Sequence, residues 1–274
     1  MGTKKEERPL SLFSSEAFKG NHILVTGATG GIGSAAAKIL AGAGADLTLT
    51  GRNEKKLDIL AAELHRKHEG QQIIAVSGDL TKTHDREQIL RQASERIGPV
   101  FGLVNNAGVS GGETVDKLSE EDLRHILEVN YVSTVLFTQA VYRQMMKRKE
   151  GSIVNVTSLS GLRGTYGNSA YSASKFAMTG FTHSLAVEAA RNGIRVNAVA
   201  PGYVKTDMAA AAIQRRAKRQ NKPYEKLLAE IEAGQPSGRI TEPEEVAETI
   251  AFLLSDSAGN IVGETVKVSG GSVL

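Results

Sequence analysis

The sequence predicts an α/β protein built around one doubly wound parallel sheet of about seven strands. Three observations carry this expectation. Short apolar runs alternate with helical periodicities, the first run ends in a glycine-rich turn, and no Pro/Gly/Ser-rich linker or internal repeat divides the 274 residues. An apolar fraction of 41% supplies a core, and the absence of cysteine excludes a disulfide scaffold, a thiol nucleophile and a cysteine-ligated zinc site. The 33 basic and 30 acidic residues leave a net charge of +3, and no aromatic-interleaved basic strip accompanies it, which argues against nucleic-acid binding. No run approaches the ~18 apolar residues of a membrane span. Lys4, Lys5, Glu6, Glu7 and Arg8 interrupt any apolar signal core. The expectation is a cytoplasmic protein with no membrane partner, a loosely held tail over 1–19 and one domain over 20–274.

Each element follows from its pattern. Ile23-Leu24-Val25 is a short apolar run, and Ile32, Ala36, Ile39 and Leu40 follow at helical spacing, so the chain opens on a β-turn-α unit. Asp46 to Thr50 repeats the strand pattern and Glu54 to Lys67 the helical one; Gln72 to Ser77 and Thr83 to Ile97 repeat both again. Further strands are expected over Phe101 to Asn105, Ser152 to Val156, Ile194 to Val199 and Thr265 to Val268, with long helices near 120–148 and 171–191. Met208 to Arg239 breaks the rhythm with an Ala-rich stretch, the basic run Arg215-Arg216-Ala217-Lys218-Arg219 and an amphipathic Tyr224 to Ile231. It follows the sixth strand, on the edge where open α/β sheets bind ligands, and reads as a helical lid over about 208–239.

The turn after the first strand, Thr26-Gly27-Ala28-Thr29-Gly30-Gly31-Ile32-Gly33, has the makings of a phosphate cradle. Gly27 suits a tight turn, Gly31 lets backbone approach a pyrophosphate, and Gly33 permits close helix-strand packing at a positive helix end. In isolation this is equally a ligand-free glycine turn; its place on the first β-turn-α unit favours a nucleotide. The second strand ends Thr50-Gly51-Arg52-Asn53, without the acid that would hold the ribose of NAD, whereas Arg52 suits a 2′-phosphate. NADP(H) is therefore preferred over NAD(H), the alternative being a solvated loop arginine. Asp79-Leu80 can hold the adenine edge, or Asp79 can cap the next helix.

Chemistry is expected on the fourth and fifth strands. Asn105-Asn106-Ala107-Gly108 closes the fourth, and Ser158 follows the fifth. Tyr171 and Lys175 share one helix face at i and i+4. A nearby ammonium lowers a phenol's pKa from ~10, so Tyr171 is expected to donate a proton to a carbonyl oxygen that Ser158 also hydrogen-bonds. Asn130 interrupts the apolar stripe Leu123, Leu127, Thr134, Phe137 and Val141, and serves either a proton path to Lys175 or structure alone.

These residues together resemble the short-chain dehydrogenase/reductase family over roughly residues 20–272. The resemblance rests on Thr26-Gly27-x-x-x-Gly31-x-Gly33, Asn105-Asn106-Ala107-Gly108, Ser158 with Tyr171-x-x-x-Lys175, and Pro201-Gly202 in the family's order. It implies a single Rossmann-like domain and an NADP(H)-dependent oxidoreductase with no metal. Asn130, Ser158, Tyr171 and Lys175 match the catalytic tetrad, with Tyr171 as acid/base and Lys175 also on the nicotinamide ribose. Expected cofactor contacts are Gly27, Thr29, Gly31, Ile32, Gly33, Arg52, Asn53, Asp79, Leu80, Asn106, Ala107, Gly108, Pro201, Gly202, Val204 and Thr206, besides Tyr171 and Lys175. Gly30 departs from the basic residue of many NADP-using relatives and leaves the discrimination to Arg52.

Within the family the chain resembles β-ketoacyl reductases through Met145 to Lys149 and Thr206-Asp207-Met208, aromatic polyketide ketoreductases through Gly111-Gly112, and 3-hydroxybutyrate dehydrogenases through Gln235-Pro236-Ser237. All three handle a 3-oxo or 3-hydroxyacyl unit, so the expected substrate is a 3-oxoacyl thioester on coenzyme A or acyl carrier protein, contacted by Ser158, Tyr171, Gly111 and Gly112. A sugar, polyol, 3-hydroxybutyrate or other small alcohol is the alternative, and a noncatalytic NADP-binding regulatory module the alternative of another class. Lys147 to Lys149, Arg191 and the lid cluster suit an acidic carrier protein, coenzyme A phosphates or a merely solvated surface. His65-Arg66-Lys67-His68 reads as an exposed helix end. The family resemblance further implies a homo-oligomer, dimer or tetramer, through the two long helices and the last strand.

Overall fold

The computed structural model describes residues 13–111 and 113–273. Seven parallel strands form one sheet: β1 (His22–Thr26), β2 (Asp46–Gly51), β3 (Ile73–Ser77), β4 (Gly102–Asn105), β5 (Gly151–Val156), β6 (Ile194–Pro201) and β7 (Thr265–Val268). Their order is β3-β2-β1-β4-β5-β6-β7. The direction of winding reverses between β1 and β4, and a crevice opens there at the carboxyl ends of the strands.

Helices cover both faces because alternate strand residues point to opposite sides. On one face Ile23, Val25, Leu47, Leu49 and Val199 pack against α1 (Gly31–Gly42), α2 (Glu54–Lys67) and α9 (Pro243–Leu254). On the other, Leu24, Val76, Leu103, Ile153 and Val196 meet α3 (Thr83–Arg96), α5 (Ser133–Arg148) and α6 (Ser169–Ala190). The edge strands and α2 match the expected boundaries closely.

Three features differ from expectation. The helix expected over 120–148 is α4 (Glu120–Leu127), a wide π turn over Glu128–Val132, and α5. The wide turn carries Asn130, and such turns cluster at functional sites. Secondly, α9 is unforeseen, although its start is marked in the sequence: Pro243 occupies the first turn and Glu242 and Glu245 form a reciprocal capping box. Thirdly, the described end of the expected tail is attached to the domain, since Phe18 is 1% exposed and its N–H donates to Ala43 O at 2.8 Å.

The expected lid is two helices, α7 (Asp207–Arg219) and α8 (Tyr224–Ala233). They have a small core of their own, made by Ile213, Ala217, Leu227, Ile231 and Ile240. A single parallel bridge between Val204 and Thr241 closes the base of this excursion, with Lys205 N donating to Thr241 O and Thr241 N to Tyr203 O, both at 3.0 Å.

Candidate active site

One cavity of about 450 Å³ occupies the crevice. Arg52, Asp79 and Leu80 line one end, Gly27, Thr29, Gly31, Ile32, Ala107 and Gly108 its floor, and Ser158, Tyr171 and Lys175 the far part, with Pro201, Gly202, Val204 and Thr206 also on its wall. The sequence motifs therefore converge on one space from six separate strand ends.

The cradle is fastened from beneath. Thr26 Oγ1 accepts the backbone N–H groups of Asn106 and Ala107, both at 3.0 Å, and donates to Val104 O at 3.2 Å. Asn106 Nδ2 donates to Gly27 O at 3.0 Å, so this amide, expected to wall a cofactor, also clamps β1 to β4. Gly27 has φ +62°, and a Cβ there would lie 2.8 Å from Ala107 Cα. At Gly31 a Cβ would lie 2.4 Å from Thr206 Cγ2, so Gly31 makes room for Thr206 as well as for an incoming phosphate. No side chain caps the start of α1, which leaves its first N–H groups facing the cavity. Bare glycine backbone at an uncapped helix N-terminus fits a dinucleotide pyrophosphate. Gly33 lies under this surface, packed on Gly27 O.

At the adenine end, Asn53 is a helix cap: its side-chain oxygen accepts Lys56 N at 3.0 Å and starts α2. It lines a depression that shares Thr29 and Arg52 with the main cavity. Asp79 does not cap α3, whose N-cap is Lys82; instead it accepts Thr81 N and Thr81 Oγ1 at 3.0 and 2.9 Å. Partial burial pushes the Asp79 carboxyl up, but Thr81 and the charges of Arg52 and Lys82 outweigh it and hold the group below the usual carboxylate range.

The chemical end is assembled by β5 and α6. Ser158 leaves β5 in extended conformation and its Oγ accepts Ser160 N at 3.1 Å. The same hydroxyl hydrogen-bonds Tyr171. Lys175 sits one turn further along α6, 6% exposed, with Nζ donating to Val156 O at 3.0 Å and standing 5.8 Å from the centroid of the Tyr171 ring. Burial, unopposed by any carboxylate, pushes Lys175 down to about 8. The expected lowering of Tyr171 is not what the site produces. Burial raises it above its ordinary value, and the Ser158 hydrogen bond lowers it by less.

Asn130 is set one layer behind the cavity. Its Oδ1 accepts Val109 N at 2.8 Å, and its Nδ2 donates to Val109 O and to Ser174 Oγ, both at 3.0 Å. The side chain holds the segment after Gly108 against α6 and makes no direct bond to Lys175. Ser174 is a partner that pattern reading did not single out.

On the substrate side Gly111 lines the cavity, and a Cβ there would fall 2.3 Å from Ile126 Cδ1, whereas Gly112 lies outside the described residues. Sequence reasoning missed Ser110, Arg163, Tyr203, Met208 and Arg215 as lining residues. Met208 belongs to the Thr206-Asp207-Met208 run and Arg215 to the basic run of the expected lid, and the placement of α7 over the crevice brings both there. Among the described residues no cluster of His, Asp and Glu suits a metal ion, and no helix is long and apolar enough to cross a membrane.

The geometry is that of a nicotinamide-dependent oxidoreductase with a hydroxyl-based proton donor. The model of the short chain dehydrogenase family matches residues 21–217, and this chain belongs to that family. It is 36% identical over 253 residues to the 3-oxoacyl-(acyl-carrier-protein) reductase FabG of Vibrio cholerae serotype O1, covering 92% of this chain and 97% of that protein. The FabG of Escherichia coli K12 is 36% identical over 254 residues, 93% of this chain and 98% of that one. Among solved structures, an actinorhodin polyketide ketoreductase variant with NADPH superimposes with a TM-score of 0.89 at 35% identity, covering 95% of this chain and 99% of that chain. The chain is thus an NAD(P)-dependent oxidoreductase acting on CH–OH donors, with the Rossmann-like fold its sequence predicts.

Proposed function

We propose that the chain is an NADP(H)-dependent reductase of 3-oxoacyl thioesters, carried on coenzyme A or acyl carrier protein. The observation that carries this reading is the convergence of Ser158, Tyr171 and Lys175 on the cavity whose other end offers Arg52 and no acid from β2. The similarity to 3-oxoacyl-(acyl-carrier-protein) reductases supports the substrate class, and that to a ketoreductase with NADPH supports the cofactor.

When bound, the nicotinamide supplies hydride to the carbonyl carbon. Tyr171 delivers its hydroxyl proton to the carbonyl oxygen. Ser158 donates to the same oxygen, and this bond strengthens as negative charge develops there. Lys175 keeps a positive charge beside the Tyr171 ring below pH about 8 and, by family resemblance, also holds the nicotinamide ribose. A raised phenol keeps its proton at neutral pH, which suits reduction over oxidation.

Family resemblance extends the proposal to a homo-oligomer, and the exposed Leu136 and Met146 of α5 and Phe176 and Val187 of α6 supply apolar surface for it. Sedimentation gives the assembly state. The deciding experiment follows NADPH and NADH oxidation in parallel with acetoacetyl-CoA, acetoacetyl-carrier protein, sugars and small ketones. Faster turnover of the thioesters with NADPH is expected; turnover restricted to sugars or polyols, or an NADH preference, overturns the assignment.

A further inference from the structure

The cavity's acidic lining residues stand toward its cofactor side. Asp79 follows β3 beside Arg52, and Asp207 adjoins Thr206, which packs on Gly31. The substrate side carries instead two arginines, Arg163 after the Ser158 turn and Arg215 on α7.

Several neighbouring cations on and around the lid are differently employed, although Arg216 too meets a hydroxyl, that of Tyr203. Lys205, Lys222 and Arg239 each meet a carboxylate at 2.6 Å, from Glu242, Glu230 and Glu245 respectively. Arg219 lies 5.6 Å from the centroid of the Tyr166 ring. Among the described residues neither Arg163 nor Arg215 meets a carboxylate. Arg215 donates one bond, from Nη2 to Ser110 Oγ at 2.8 Å, which draws the lid helix to the loop after β4. Its remaining N–H groups and the whole Arg163 fork stay available. A half-buried guanidinium bonded only to a neutral hydroxyl and a second guanidinium lining the same cavity offer a site for an anion with two or more oxygens.

We propose that Arg163 and Arg215 are specificity-determining residues that bind an anionic group, phosphate or carboxylate, on the portion of the substrate that extends from the reacting carbonyl toward the cavity mouth. The inference rests on the reading of this cavity as a carbonyl-reductase site and adds a requirement on the substrate's charge. A 3-oxoacyl thioester on a phosphopantetheine arm carries a phosphate; a small oxo acid carries a carboxylate.

The test compares wild type with Arg163→Gln, Arg215→Gln and the double variant, using NADPH and three substrates: acetoacetyl-CoA, its neutral analogue acetoacetyl-N-acetylcysteamine, and acetoacetate. The double variant is expected to raise KM for acetoacetyl-CoA about 10- to 30-fold, as loss of charge-assisted hydrogen bonds implies. Its kcat should stay within about 3-fold, and KM for the neutral thioester within about 2-fold. A response confined to acetoacetate assigns the site to a carboxylate. Titration calorimetry with 4′-phosphopantetheine and pantetheine reads the site without turnover: the phosphorylated compound should bind wild type roughly 10-fold more tightly and the double variant no better than pantetheine. Equal changes on charged and neutral thioesters, together with no anion preference in the titration or with acetoacetate, overturn the inference. Wild-type enzyme that reduces neither thioester overturns the substrate reading alone, because the titration and the acetoacetate arm still report on the arginines.

Discussion

The two ends of the cavity are held by different means. At the cofactor end strand ends and a glycine turn form the walls, and the Thr26 hydroxyl and the Asn106 side-chain amide lock β1 to β4 through bonds to backbone groups at 3.0 Å. At the substrate end the wall is α7, whose helix pair packs on a five-residue core of its own and meets the rest of the site through contacts such as Arg215 to Ser110. The first end depends on main chain fastened by two polar side chains inside the sheet, Thr26 and Asn106, and the second on side chains of a separate helix pair that can be exchanged without disturbing the sheet. A common cofactor with variable substrates calls for this division.

The largest test lies where the ends join. Tyr171→Phe removes the transferable proton while leaving the ring and α6 in place, so kcat should fall by about 10²- to 10⁴-fold with cofactor affinity retained, measured by turnover and by fluorescence titration of NADPH. Loss of cofactor binding in that variant would show that the two ends are not separable. Arg52→Asp acts on the cofactor end alone. It should shift the ratio of kcat/KM for NADPH over NADH by about 10- to 100-fold toward NADH, with KM for the carbonyl substrate unaltered. Unchanged preference would remove Arg52 from the cofactor argument.

A third test uses the proton itself. Because burial raises Tyr171, alcohol oxidation should require its rare phenolate and climb roughly 10-fold per pH unit across the neutral range, while reduction stays flat there. The smallest effect concerns the strand bases. His22 is buried, with Nδ1 2.8 Å from Gly98 O and Nε2 2.8 Å from Thr48 Oγ1, and burial holds its pKa below 6.5. The folded state therefore favours neutral imidazole, and stability is lost as pH falls below about 6.5, where the unfolded chain takes up the proton. Hydrogen exchange should show β1 and β2 losing protection before the lid core does; simultaneous loss would contradict the structural independence of the two ends.

The same division explains what was legible beforehand. Strand alternation, the glycine turn and the Ser158, Tyr171 and Lys175 spacing are local patterns, and the structure brings those residues to one cavity. Asn130 was visible as a polar break in an apolar stripe, but its partners Val109 and Ser174 lie 21 and 44 residues away and no period encodes them. Tyr171 was misjudged for a different reason: the i to i+4 spacing showed the ammonium nearby, whereas desolvation depends on what the whole fold places around the phenol. Arg215 required the path of the lid, which packing of Ile213 and Leu227 decides.

The wide turn over Glu128–Val132 acts as a change of address within one helix. An extra residue in a helical turn rotates all that follows by about 100° relative to a regular continuation. Upstream of it Ile126 touches the Gly111 loop; within it Asn130 reaches α6; downstream Phe137, Val141 and Met145 point into the sheet. Removing a single residue here would leave composition and propensity almost untouched and still send one of these three messages to the wrong recipient.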